Sequence, residues 1–168
     1  TIMKIDNVRD VALTALMAIE KRQAYSQLML NEIIEKHHLN DRDIPLLTQL
    51  VYGVTQRLNS LDFYLTPFIQ QKKASMQDWV LMLLRLSLYQ MIYLDKIPDH
   101  AIINEAANIA KKRGHRGIVN FVNAILRNIQ RSQLPDVTQL EDPIKRLSIL
   151  YSHPEWLVKR WIEEYGET

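Results

Sequence analysis

The sequence predicts an all-α fold, and three observations carry that expectation. Residues 79–94 read WVLMLLRLSLYQMIYL, with thirteen of sixteen positions apolar or aromatic and only Arg85, Ser87 and Gln90 interrupting. Elsewhere apolar residues recur at helical spacing, and no period-two alternation runs beyond a few residues. Only four Gly and six Pro occur in 168 residues, too few for a loop-rich or all-β protein. A helix apolar nearly all round must be enclosed by other helices. A membrane span needs about 20 apolar residues. The 79–94 stretch is shorter, holds Arg85 at its middle and runs into Asp95-Lys96, so it is expected to be the central helix of a bundle.

The elements follow in order. Residues 6–20 place Val8, Val11, Ala12, Ala15, Leu16 and Ile19 on one helical face, with Asp6 or Asn7 as cap. Ser26 caps a second helix that closes near His37. Asn40 or Asp41 caps a third, predicted to run through Leu58, with Pro45 in its first turns where a missing N–H costs least. Leu61 to Ile69 continue as a shorter helix that Pro67 is expected to bend or restart. Ser75 opens the central helix, and Pro98 ends it because the residue before a proline avoids helical geometry. Residues 99–113 form the next helix, Gly114 and Gly117 bracket a turn, and residues 118–131 form another helix. Residues 132–142 read as a surface connection, followed by helical patterns at 143–151 and 154–165.

Apolar and charged contents of 47% and 24% are ordinary globular values. The absence of cysteine excludes disulfides, thiolate metal sites and a cysteine nucleophile, and it suits a cytoplasmic setting. The chain starts at Thr1 and stops at Thr168 without an evident terminus signal, so it is expected to be a fragment.

Enzymatic motifs are missing: no P-loop, GxGxxG, GxSxG or HExxH occurs, and the five His are scattered without metal-ligand spacing. No catalytic residue, metal or cofactor is assigned to this chain. The charge distribution is more informative than the net value of +2. From Ala106 to Pro135 there is no Asp or Glu, whereas Lys111, Lys112, Arg113, Arg116, Arg127, Arg131 and His115 all fall there. Complementing a helix C-terminal dipole accounts for some of this charge. It does not account for the missing acids, so the stretch points to an anionic partner, RNA first. Asn120 and Asn123, near the start of the last helix, can donate to phosphate, sugar or base edges. The smaller basic cluster Lys72-Lys73 reads as a solvated loop end. Arg85, if buried, needs a carboxylate partner, with Glu105 or Asp62 the candidates and Arg85–Glu105 the expected structural pair.

Three phrases, LVYGVTQRLNSLD (50–62), LRLSLYQMIYLDKIPDHAIINEAANIAKK (84–112) and NFVNAILRNI (120–129), resemble the NusB family. Within it they are most similar to the NusB-like N-terminal domain of bacterial 16S ribosomal-RNA cytosine-C5 methyltransferases of the Sun type. The resemblance implies two packed three-helix units with RNA binding as the shared function. It divides the chain into an RNA-binding domain at 1–132 and a helical linker at 133–168 leading to a methyltransferase domain beyond this chain. S-adenosylmethionine and catalytic cysteines would belong to that domain, and small-subunit ribosomal RNA would be the partner. The alternatives are a NusB-type antitermination factor and a protein-interaction scaffold. The scaffold would dock through Trp156, Leu157, Trp161 and Ile162. The antitermination reading is weakened because only Arg9 stands where that factor's arginine-rich helix start would be.

Overall fold

The computed structural model describes residues 6–24, 26–69 and 72–132. The 133–168 linker, its two helical patterns and its tryptophans lie outside the described residues. Within them, seven α-helices follow one another: α1 (Val8–Arg22), α2 (Gln27–Lys36), α3 (Ile44–Gln56), α4 (Leu58–Ile69), α5 (Asp78–Tyr93), α6 (Asp99–Arg113) and α7 (Arg116–Arg131). Short 3-10 turns at Asp41–Asp43 and Lys73–Ser75 lead into α3 and α5. There is no strand among the described residues, and no helix among them is long and apolar enough to cross a membrane.

Local chemistry sets the helix ends. Asn7 caps α1 by accepting from the Arg9 and Asp10 amides at 2.9 and 3.1 Å, an interaction that contributes about 1 kcal/mol. Ser26 does the same for α2 through Met29 N. At the far end of α2, the Asp6 carboxylate accepts from His38 N at 3.0 Å and meets His37 Nδ1 at 3.1 Å. The His38 backbone bond, then the His37 side chain, hold the Asp6 carboxyl below its ordinary range.

Several boundaries differ from expectation. α3 begins at Ile44, after the 3-10 turn that Asn40 caps, and α7 begins at Arg116, so Gly117 lies inside that helix and not in the turn. The third helix does not run through Leu58. It closes at Gln56, where Arg57 N turns back to Val54 O at 3.1 Å, and α4 starts afresh with Leu61 N bonded to Arg57 O at 2.9 Å. Pro67 sits inside α4 without restarting it. Its ring forfeits one backbone bond, and the helix ends two residues later. The central helix also opens at Asp78, with Gln77 as its cap position, after the 3-10 turn that contains Ser75.

α5 packs against α1, α3, α4, α6 and α7. Residues 82–90 are buried without interruption, hence around the whole helix circumference. The three polar interruptions are each satisfied. Ser87 Oγ donates to Leu83 O at 2.8 Å and Gln90 Nε2 donates to Leu86 O at 3.1 Å. Gln90 Oε1 in turn accepts from Arg9 Nε at 2.6 Å.

Arg85 pairs with Asp62, not with Glu105. Its Nε and Nη2 donate to the two Asp62 oxygens at 2.7 and 2.9 Å, and Glu20 Oε1 lies 3.9 Å from Nη1. Glu105 instead accepts from Asn7 Nδ2 at 2.8 Å. Asn7 and Glu20 are thirteen residues apart along α1, about 20 Å. The two candidate partners therefore sit at opposite ends of that helix, and only the Asp62 end reaches Arg85. An unpartnered guanidinium there would cost several kcal/mol, which the two-point carboxylate interaction offsets.

Candidate nucleic-acid interface

α6 and α7 form an antiparallel hairpin, and the basic residues are distributed over its turn and its outer face. Lys111, Lys112 and Arg113 end α6. Gly114 makes the turn because the space is taken: an added Cβ would come within 2.9 Å of Ile118 Cδ1 and 3.1 Å of Trp79 Cζ2. His115 then caps α7, its Nδ1 accepting from Gly117 N at 3.1 Å. A neutral ring with Nδ1 accepting carries its proton on Nε2. His115 thus serves the candidate interface by starting the helix.

The apolar side of α7 buries Val122, Ile125, Leu126 and Ile129. Arg116, Asn120, Asn123, Arg127 and Arg131 recur at spacings of four and three on the other side, within an arc of about 80° at 3.6 residues per turn. Arg116, Asn120, Arg127 and Arg131 are exposed and Asn123 is half-buried. Together they make a ridge about 22 Å long at 1.5 Å per residue. Residues 116–131 contain no carboxylate, and no ion pair from another helix reaches Arg116, Arg127 or Arg131 among the described residues. The two arginines at the far end of α7 are therefore in line with Arg116.

The basic cluster at the end of α6 is divided. Arg113 Nε donates to Asp10 Oδ1 at 2.7 Å, and its Nη2 reaches Asp10 O at 3.1 Å and Thr14 Oγ1 at 2.6 Å. Lys112 Nζ donates to Asp10 Oδ2 at 2.9 Å. The acid missing from 106–135 is therefore supplied by α1, across the helix interface. Burial pushes the Asp10 carboxyl up, but the bonds and charges of Lys112 and Arg113 outweigh it and hold the group below its ordinary range. Lys111 remains exposed at the α6 end, with Arg116 just across the turn.

One further feature adjoins the ridge. A cleft of about 290 Å³ opens between the 3-10 turn before α5 and the start of α7, lined by Lys72, Gln77, Val80, His115, Ile118 and Phe121. Lys72 Nζ stands 5.9 Å from the Phe121 ring centroid. Sequence reasoning gave neither residue a role: Lys72 reads as a solvated loop end, and Phe121 carries no assignment. Phe121 lies between Asn120 and Asn123, which was the available signal. Arginines along such a ridge can contact phosphates, the amides can donate and accept hydrogen bonds, and a half-buried ring beside a cation can take a stacked base. Among the described residues no group of three or more His, Asp or Glu side chains could hold a metal ion.

The family model described as "NusB family" matches residues 6–131. The chain belongs to the NusB family. It is 54% identical, over 98% of its length, to the probable ribosomal RNA small subunit methyltransferase B of Bacillus subtilis (strain 168), of which it covers 36%. The chain thus spans about a third of the length of the curated relatives it matches. Its fold is similar to T. maritima NusB, with a TM-score of 0.67 at 23% identity, covering 79% of this chain and 96% of that one. It is also similar to a chain from the structure of antitermination factors NusB and NusE in complex with dsRNA. That TM-score is 0.65 at 19% identity, covering 75% of this chain and 95% of that one. These two likenesses establish a NusB-type helical bundle.

Proposed function

We propose that this chain is the RNA-binding accessory domain of a small-subunit ribosomal-RNA cytosine-C5 methyltransferase and helps hold the RNA substrate. The observation that carries the RNA reading is the uninterrupted α7 ridge of Arg116, Asn120, Asn123, Arg127 and Arg131 beside Lys111. The 54% identity to a methyltransferase B supports the parent enzyme over a free-standing antitermination factor. S-adenosylmethionine and the catalytic groups are assigned to the remainder of such a parent. The described helices offer no Gly-rich loop between a strand and a helix, and the sequence has no cysteine. The setting is cytoplasmic, with ribosomal RNA and the methyltransferase domain of the same parent as partners.

Phosphate contacts position RNA without specifying its sequence, and each one makes binding weaken with salt. Replacing Lys111, Arg116, Arg127 and Arg131 together with Ala is expected to lower affinity for small-subunit ribosomal RNA. It should also flatten the log–log salt dependence by about 0.7 for each phosphate that is no longer neutralised. Arg113 is kept in this variant because it holds α6 to α1. Unchanged affinity and slope in a filter-binding titration at several salt concentrations would remove the RNA reading.

A further inference from the structure

Asp10 stands between two cations that it treats differently. Arg113 is fixed through Asp10 Oδ1, Asp10 O and Thr14 Oγ1, and its side chain is 26% exposed. Lys112 is held at the Asp10 carboxylate alone among the described residues, and its side chain is 70% exposed. The Asp10 side chain is itself 15% exposed. Withdrawing Arg113 from this arrangement would break three bonds. Withdrawing Lys112 would break one, and its four-carbon stem already lies in solvent at the turn end of the α6–α7 hairpin.

We infer that Asp10 is a positioning residue for RNA recognition: it removes Arg113 from the binding face and competes with RNA phosphate for Lys112. This rests on the RNA reading above and adds to it a built-in limit on affinity. Lys111, Arg116, Arg127 and Arg131 engage phosphate with no carboxylate of the described residues in competition. Lys112 is shared, so the domain binds RNA less tightly than its cation count suggests. Such a restraint suits an accessory domain that must release its substrate after each turnover of the parent enzyme.

The test compares the wild-type chain with Asp10→Asn, Asp10→Glu, Asp10→Asn/Lys112→Ala, and Glu32→Gln, an exposed acid on α2. RNA binding is measured at several salt concentrations, and thermal unfolding checks the fold. The Asn side chain keeps an oxygen for Arg113 Nε, so the link between the helices persists. Asp10→Asn is expected to bind about three- to tenfold tighter at low salt, with a slope steeper by about 0.7, the increment for one more neutralised phosphate. Asp10→Glu should return both to wild type, and adding Lys112→Ala should cancel the gain. Glu32→Gln should change little. An equal gain in Glu32→Gln, or a gain that survives Lys112→Ala, would show a mere net-charge effect and overturn the inference, as would no gain at all. If wild type binds with a normal slope and only these outcomes fail, the RNA reading stands. If wild type shows no salt-dependent binding, both fall.

Discussion

One close approach in the core is made by a residue without a side chain. Gly53 of α3 faces Tyr89 of α5, and a Cβ placed there would overlap the tyrosine ring and hydroxyl. Tyr89 cannot easily move away: it is buried, and its ring lies 5.2 Å from Tyr93, which is covered in turn by Arg57 at 4.4 Å. Burial accordingly pushes the Tyr89 phenol up in pKa. Gly53→Ala is expected to destabilise the protein by about 1–3 kcal/mol, the usual range for overpacking. The double variant Gly53→Ala/Tyr89→Ala should cost less than the sum of the single changes, because the clash needs both groups. Additive losses in denaturant titrations would show that Gly53 serves something other than this approach. At this scale the sequence was an incomplete guide. It marked Arg85 as needing a carboxylate, since that follows from burial alone. It named Glu105 for the structural pair because choosing between two acids requires the packing of α4 and α1 against α5.

Helices were legible where one face had a single task. α7 shows buried apolar positions and exposed cations at fixed spacing, and α6 was bounded at 99–113 as found. The α3–α4 break was not legible because its apolar pattern continues through Arg57, and only backbone bonding reveals the corner. The pairing of α1 with α6 was also hidden. Asp10 and Arg113 are 103 residues apart, and no local pattern links them. That pairing has a pH signature. The Asp10 carboxyl is held low in the folded state, so its contribution is fully present above the ordinary carboxylate value of about 3.9. It is lost as pH falls through the lowered folded value, because the protonated group no longer attracts Lys112 and Arg113. The difference in Tm between wild type and Asp10→Asn should therefore be steady near neutrality and shrink below about pH 4. A difference that persists undiminished to about pH 2 would mean that charge is not what Asp10 contributes there.

Across the whole molecule, fold class and family were readable from the chain because both depend on pattern. The 79–94 run required an enclosing bundle, and the three family phrases lie within the matched residues 6–131. The candidate interface was readable as a set of cations, but not as a surface. Periodicity could align Arg127 with Arg131, but only the fold could start α7 at Arg116, turn Arg113 inward and bring Lys72 to Phe121. Enclosure of α5 by five neighbouring helices also sets how the protein opens. Exposing the amides of residues 82–90 means removing helices from every side at once, so their hydrogen exchange should proceed only by global unfolding. α2 buries only Met29 and Leu30 and should exchange by local opening at far lower free energy. Native-state exchange that found α5 no better protected than α2 would contradict this. If it holds, α5 keeps its structure through every partial opening, and the α6–α7 hairpin it supports can loosen and re-form on a scaffold that never comes apart.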